Sequence, residues 1–402
     1  MKQRINYDVS GKIGIIDADL LDNGTRHPNL ALMKISGFLK EKGCNVSLIE
    51  SYDEITENNY EGIKKYNAIF ISKVFDFSKI DKKILEFENV YFGGTGFFLD
   101  GGIDLPYEIE HHMPDYHLYD NYIEHDTKHE KKEVYWKDYK DYSIGFATRG
   151  CFRKCEFCVN KKYDKVQFHS HISEWLDESR KGIYLWDDNI FGYSKWKEVF
   201  DELKETGKPF QFRQGIDIRL LTPEKAKVLN EAKYNGDIIF AFDHIEDKEI
   251  IEEKLFLWRK YSDKSTKLYV LSGFDGQDEK EIESIFERIS IIIKYGCLPY
   301  IMRHKNYLFS PYKGLFTQIA RWCNMPQFLK KMSFREFCEA NQKYHKNKNT
   351  LCSALRAIKD FEDEHPEIAK KYFDIRFDEQ EYVIDLHNRR EKKKKEKKNK
   401  IK

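Results

Sequence analysis

Apolar residues in this chain fall in short runs, separated by longer stretches with helical spacing. The run KIGIID at 12–17 is apolar and bounded by charge, which predicts a buried strand. Leu30–Lys42 carries its apolar residues on one helical face and meets Gly43, a helix-stop signal. Val46–Ile49, Ala68–Ser72 and Val90–Phe92 predict three more strands, the last running into Gly93-Gly94-Thr95-Gly96. That turn lacks the spacing of a dinucleotide fingerprint and reads as a plain tight turn. Strands alternating with helices predict a small open α/β sheet, a Rossmann-like domain over 1–110. From 101 to 141 the chain is polar, rich in His, Tyr and Asp and weakly periodic, so 111–141 is expected to be a linker that wraps the surface.

From residue 142 a strand-then-helix rhythm repeats six times. The strands are expected at Tyr142–Ala147, Gly182–Trp186, Phe210–Gln214, Asp237–Phe242, Leu268–Leu271 and Leu298–Met302. The helices between them are expected at Ile172–Arg180, Lys195–Glu205, Pro223–Lys233, Lys248–Tyr261 and Glu279–Tyr295. Six βα units with parallel strands predict a partial (β/α)6 barrel of the TIM type over 142–305. A helical region follows over 306–388, with Trp322, Phe328, Phe334, Phe337 and Tyr344 read as core. Residues 389–402 form a basic, low-complexity tail. It reads either as a solubilising tail or frayed helix end, or as a weak RNA or phosphate tether.

Composition narrows the class. The 402 residues are 41% apolar and 34% charged, with a net charge of +1, so no global field draws the chain to nucleic acid or membrane. No apolar run approaches the ~20 residues needed to span a bilayer, and the N-terminus has no signal-peptide pattern. A cytoplasmic, soluble protein is expected. Of eight cysteines, Cys44, Cys297, Cys323, Cys338 and Cys352 are scattered and read as buried thiols. They are too far apart in sequence to suggest an auxiliary cluster.

The other three stand together in ATRGCFRKCEFCVN, residues 147–160, as C-x-x-x-C-x-x-C directly after a strand. Cys151, Cys155 and Cys158 can hold three irons of a cubane and leave the fourth without a protein ligand, whereas four-cysteine electron-transfer clusters close that position. An open iron can chelate the amine and carboxylate of S-adenosylmethionine. A structural zinc site wants four ligands, which His169 or His171 would have to complete. A disulfide is disfavoured in a cytosolic protein.

The motif, with Phe157 just before its last cysteine and six βα units around it, resembles the radical S-adenosylmethionine superfamily over about 142–305. The resemblance implies that Cys151, Cys155 and Cys158 bind a [4Fe-4S] cluster and that the backbone beside Phe157 meets adenine. It implies reductive cleavage of S-adenosylmethionine to a 5'-deoxyadenosyl radical, and hydrogen abstraction from an unidentified substrate. It also implies an electron donor such as flavodoxin or ferredoxin. Where the family has Gly-Gly-Glu, this chain has Trp186-Asp187-Asp188-Asn189, so Asp187 or Asp188 would accept from the ammonium. The competing reading is that Asp188 or Asn189 caps the next helix. Gln214, Asp217, Arg219 and Asp243 follow as cofactor contacts at the ends of the third and fourth strands. Asp217 and Arg219 could equally be an ordinary ion pair. Later strands end in Ser272-Gly273-Phe274-Asp275 and in Arg303-His304. Residues 27–50 are similar to the cobalamin-binding domain found ahead of many such barrels. The Asp-x-His-x-x-Gly loop is absent, and Asp115-Tyr116-His117 is its nearest string. A degenerate domain is therefore favoured and cobalamin is left open. A cobalamin-dependent methyltransferase and an RNA-associated modifying enzyme are the alternatives.

Overall fold

The computed structural model describes residues 5–99, 101–347 and 349–401, with side chains described through Lys392. The chain divides into two compact units between Arg213 and Gln214.

In the first unit, β1 (Lys12–Asp17), β2 (Asn45–Leu48), β3 (Ala68–Ser72) and β4 (Val90–Gly93) form a parallel sheet of order β2-β1-β3-β4. Parallel strands need both faces covered. One face of β1 and β3 puts Ile13, Ile15, Ala68 and Phe70 against Leu32, Met33, Ile35 and Leu39 of helix Leu30–Glu41. The other puts Ile16, Ile69 and Ile71 against Ile49, Ile63 and Ile84. The helix starts at Asn29, whose side chain accepts from Leu32 N at 3.2 Å, and the chain leaves through Gly43 at φ +82°.

The expected linker is instead part of this core. Short helices at Asp120–His125, Lys132–Tyr135 and Lys137–Lys140 and the turns around them bury Tyr116, Tyr119, Ile123, Trp136 and Tyr139 in the core that holds β1. Aromatics hide this role in a polar sequence, because each has an apolar body and a polar tip that must find a partner. Tyr116 donates to Trp175 O at 2.7 Å, Trp136 to Asp126 at 2.7 Å and Tyr139 to Thr25 O at 3.0 Å. Burying one such ring is worth ~4–6 kcal/mol by area.

Beyond the C-terminal ends of β1 and β3, where the strand order reverses, open α/β sheets place their ligands. Here the space is occupied by the chain itself. Tyr119 donates to the buried Asp17 carboxyl at 2.9 Å, Asn29 N donates to the Tyr119 hydroxyl at 3.0 Å, and Asn29 Nδ2 donates to Ser72 at 2.8 Å. Asp19 takes Val74 N at 2.6 Å and Ser78 Oγ at 2.5 Å.

A second parallel sheet in this unit has the order β5 (Tyr142–Gly145), β8 (Gly182–Leu185), β9 (Phe210–Phe212). A two-residue antiparallel clip, β6 (Thr148–Arg149) with β7 (Gln167–Phe168), stands between β5 and β8. The helix expected over Ile172–Arg180 is only a 3-10 turn, Ile172–Glu174. Local side chains compete with a helix there: Asp177 accepts from Ser179 N at 2.9 Å, and Ser143 Oγ accepts from Asp177 N at 3.0 Å.

The second unit carries β10 (Ile238–Ala241), β11 (Thr266–Ser272) and β12 (Leu298–Arg303), parallel and in that order. Helix Pro223–Glu231 precedes β10, and helices Lys248–Tyr261 and Glu279–Lys294 connect the three strands, close to expectation. Helices Lys313–Cys323, Phe334–Lys343 and Ser353–Glu364 follow, with Trp322, Phe334 and Phe337 buried as expected and Tyr344 exposed. The basic end is no separate tail but the continuation of helix Glu381–Ile401, tied down where Arg389 and Tyr382 meet Asp263 at 2.9 and 2.8 Å. The class is α/β with parallel sheets and helices. Among the described residues, no helix is long and apolar enough to cross a membrane.

Burial pushes the Asp17 carboxyl up to about 7. A raised acid binds a proton in the folded state where the unfolded chain has lost it, so its contribution to stability falls as pH rises from ~4 to about 7. Asp17→Asn keeps the acceptor for Leu20 N and removes this ionisation. Urea unfolding across that range should show a flatter pH dependence than the parent, with equal or greater stability above pH 7.

Candidate functional site

The three clustered cysteines lie on one loop, residues 150–166, closed at its base by the clip, with Thr148 opposite Phe168 and Arg149 opposite Gln167. The loop leaves β6 through Gly150 at φ +94°, where an added Cβ would stand 2.5 Å from Lys165 O and 2.5 Å from Tyr163 Cβ. Only glycine fits that crossing.

Two carboxylates from the end of β8 hold the base. Asp187, 2% exposed, accepts from Ala147 N at 3.2 Å on one oxygen. Its other oxygen takes Thr148 N and Thr148 Oγ1, both at 2.6 Å. Burial pushes this carboxyl up to about 7, with the neighbouring Asp188 adding to the rise, against the pull of those hydrogen bonds. Asp188 is half-buried and accepts from Gly150 N at 2.7 Å. Neither acid caps a helix: the turn Ile190–Gly192 has no side-chain cap, nor does helix Trp196–Glu205.

None of the three cysteines is in a disulfide, and all are partly exposed. Cys151 Sγ accepts from Arg153 N at 3.4 Å and from Asn189 Nδ2 at 3.3 Å. Cys158 Sγ accepts from Asn160 N at 3.4 Å. The tight turn Cys155–Cys158 is closed by Cys158 N on Cys155 O at 3.0 Å. Burial pushes the Cys158 thiol up, with Asp188 and Cys151 close enough to add to the rise. Phe157 is half-buried within the same turn. Among the described residues, no three His, Cys, Asp or Glu side chains converge as ligands of one ion. A cubane asks for a different arrangement, one thiolate to each of three irons.

His169 and His171, the residues that would complete a zinc site, are engaged elsewhere. His169 meets Glu110 at 3.1 Å through Nε2 and Ser170 at 3.0 Å through Nδ1. His171 faces Glu202 at 3.5 Å. Glu110 also holds the buried Lys34 at 3.0 Å. Burial alone would raise Glu110, but His169 and Lys34 outweigh it and hold the carboxyl at about 2. This buried pair joins helix Leu30–Glu41 to the strand end beside the cysteine loop, a link between distant positions that no sequence motif announces.

The remaining predicted residues belong to the second unit. Gln214 is exposed in a bend. Asp217 and Arg219 pair with each other at 2.8 Å, and Arg219 reaches Asp247 at 2.5 Å. The ion-pair reading therefore describes their geometry. Burial pushes Asp243 up, countered by Arg288. His244 meets Asp275 at 2.8 Å, and the Gly273 amide donates to Glu281 at 3.0 Å. In the first unit, Asp115 is bound by Ser36 at 2.6 Å and Lys40 at 2.7 Å, and His117 is exposed beside Asp120, so neither stands in a ligand loop. Asn189 is the site residue the sequence reading missed. It follows two acids, where an asparagine reads as a helix cap, and nothing in its neighbourhood signals a sulfur contact.

No family model and no curated protein sequence matches the chain. Two solved structures of the radical S-adenosylmethionine methyltransferase TsrM from Kitasatospora setae are similar to it. One has cobalamin and a [4Fe-4S] cluster bound; it is 12% identical with a TM-score of 0.48, over 73% of this chain and 75% of that one. The other has tryptophan substrate and the analogue aza-SAM bound; it is 13% identical with a TM-score of 0.48, over 72% of each chain. A likeness of this extent is no argument for activity, which has to come from the site.

The two acids separate by substitution. In Asp187→Asn an amide NH2 must face one backbone N–H that a carboxylate oxygen now accepts. That loss leaves a buried donor unpaired and should cost about 1–3 kcal/mol. In Asp188→Asn the amide oxygen can still take Gly150 N, and stability should stay within ~0.5 kcal/mol of the parent. Chemical denaturation of both variants checks the order.

Proposed function

We propose that the chain is a radical S-adenosylmethionine enzyme in which Cys151, Cys155 and Cys158 ligate a [4Fe-4S] cluster. The observation that carries this reading is the loop itself: three thiols at C-x-x-x-C-x-x-C spacing, locked at the base, with N–H donors on two of the sulfurs. Such donors favour thiolate over thiol, the form a cluster requires. The loop supplies no fourth cysteine, and the nearby histidines are engaged by Glu110 and Glu202. When bound, the cluster would pass one electron, taken from an external donor, to the sulfonium of S-adenosylmethionine, whose cleavage would supply methionine and the 5'-deoxyadenosyl radical that takes hydrogen from substrate.

The chain's own residues bind and position. Asp187 fixes the loop base. Asp188, with one oxygen on Gly150 N, is the member of the pair left to meet the ammonium of S-adenosylmethionine. The backbone beside Phe157 serves adenine. In the second unit, Asp217 and Arg219 stiffen their own turn. The electron comes from a flavodoxin- or ferredoxin-type donor in the cytoplasm, and the substrate class stays unnamed.

Methyl transfer through cobalamin is the second reading. The filled space beyond β1 and β3 speaks against it, because a corrinoid would have to displace Tyr119, Asn29 and Asp17 from one another. Titration with hydroxocobalamin, followed in the visible spectrum, should give no stoichiometric uptake. One equivalent bound would put methyl transfer first.

Anaerobic reconstitution should give a brown protein with about four irons per chain. With dithionite it should release 5'-deoxyadenosine from S-adenosylmethionine. Replacing all three loop cysteines by alanine should abolish colour, iron and product together. A colourless parent holding one zinc would end the reading.

A further inference from the structure

We propose that Asn189 is a positioning residue that sets the reduction potential of the cluster through Cys151. The inference rests on the cluster reading above. Asn189 is 2% exposed, at the turn that follows β8. Its Nδ2 donates to Cys151 Sγ at 3.3 Å. Its Oδ1 is buried and has no hydrogen-bond partner among the described residues. Gly192 packs this turn against the loop: an added Cβ there would lie 3.0 Å from the Phe152 ring and 3.4 Å from Asn189 Cγ. The amide is thus enclosed and cannot swing away to water.

An amide satisfied at one end only is a poor choice for stability, since an orphaned carbonyl loses its hydration without compensation. A leucine of similar size would fill the place with no such loss. What the amide supplies, and leucine cannot, is an N–H on a sulfur. Two further donors among the described residues, Arg153 N and Asn160 N, are backbone groups that almost any sequence in this loop would present. Asn189 supplies its N–H by side-chain choice. A hydrogen bond to a ligating thiolate draws off negative charge and favours the reduced cluster, which carries one electron more. The amide therefore raises the potential and eases entry of the electron.

The test compares the reconstituted parent with Asn189→Leu and Asn189→Asp, each titrated with dithionite through mediators and read by EPR. Iron content and melting temperature are measured in parallel. The leucine variant should hold its iron and melt at or above the parent, yet its potential should fall. The expected change is about tenfold in the ratio of reduced to oxidised cluster at fixed potential, ~59 mV for one electron. Aspartate has the same shape but an anionic acceptor facing the sulfur, so its potential should fall further. A leucine variant with the parent's potential overturns the proposal. If leucine fails to fold, the aspartate variant decides in the same way: a lower potential supports the role, and an unchanged one overturns it. A parent that takes up no cluster defeats the cluster reading instead, so the two failures are distinct.

Discussion

The buried Asp187 carboxylate on the backbone of Ala147 and Thr148 is the contact on which the site turns. A loop that runs from Gly150 to Val166 has little internal secondary structure and must be fixed at its ends. The two ladder pairs of β6 and β7 are too few to do so alone. A carboxylate taking two consecutive amides supplies charge-assisted bonds where water cannot compete, and burial makes each worth more. The cost is electrostatic: the same burial raises the acid's pKa to about 7.

Around this contact, buried polar groups connect elements that lie far apart in the chain. Lys34 and Glu110 link the first sheet's helix to His169, which follows β7 directly. Tyr116 ties the intervening segment to the second sheet's Ile144 and Trp175. The same segment fills the crevice beyond β1 with Tyr119. Where an open α/β sheet would ordinarily receive a ligand, this domain has turned its polar side chains on one another. In the second unit, Arg288 plays a comparable part, joining Leu271 O at 2.7 Å and Asp243 O at 2.6 Å to Glu281. Buried charges of this kind add little net stability but define which strand ends meet.

Much was legible without coordinates. Strands β1 to β4 and the connecting helices announce themselves through apolar runs and helical periodicity, which are local properties of the chain. The candidate cysteine loop was legible because the spacing of its three thiols is also local. The role of 111–141 is hidden in the sequence because its packing relies on Tyr and Trp, whose polar tips mask their burial, and its short helices give no sustained period. The helix expected at Ile172–Arg180 failed because Ser143, Asp177 and Ser179 satisfy the backbone locally, a competition that hydrophobic spacing does not register.

By itself, the sequence determined the α/β class, the parallel strands and the three thiols of the candidate centre, since each is written in neighbouring residues. Only the tertiary structure decided the roles of the polar residues beside them. Asp187 and Asp188 are alike in sequence, yet one is sealed against Thr148 and the other faces Gly150 from a half-buried place. Asn189 could have capped a helix and instead donates to a sulfur. Asp217 and Arg219 could have met a ligand and instead meet each other. A polar side chain's role is set by which donor or acceptor the fold brings within about 3 Å of it, and that partner comes from elsewhere in the chain.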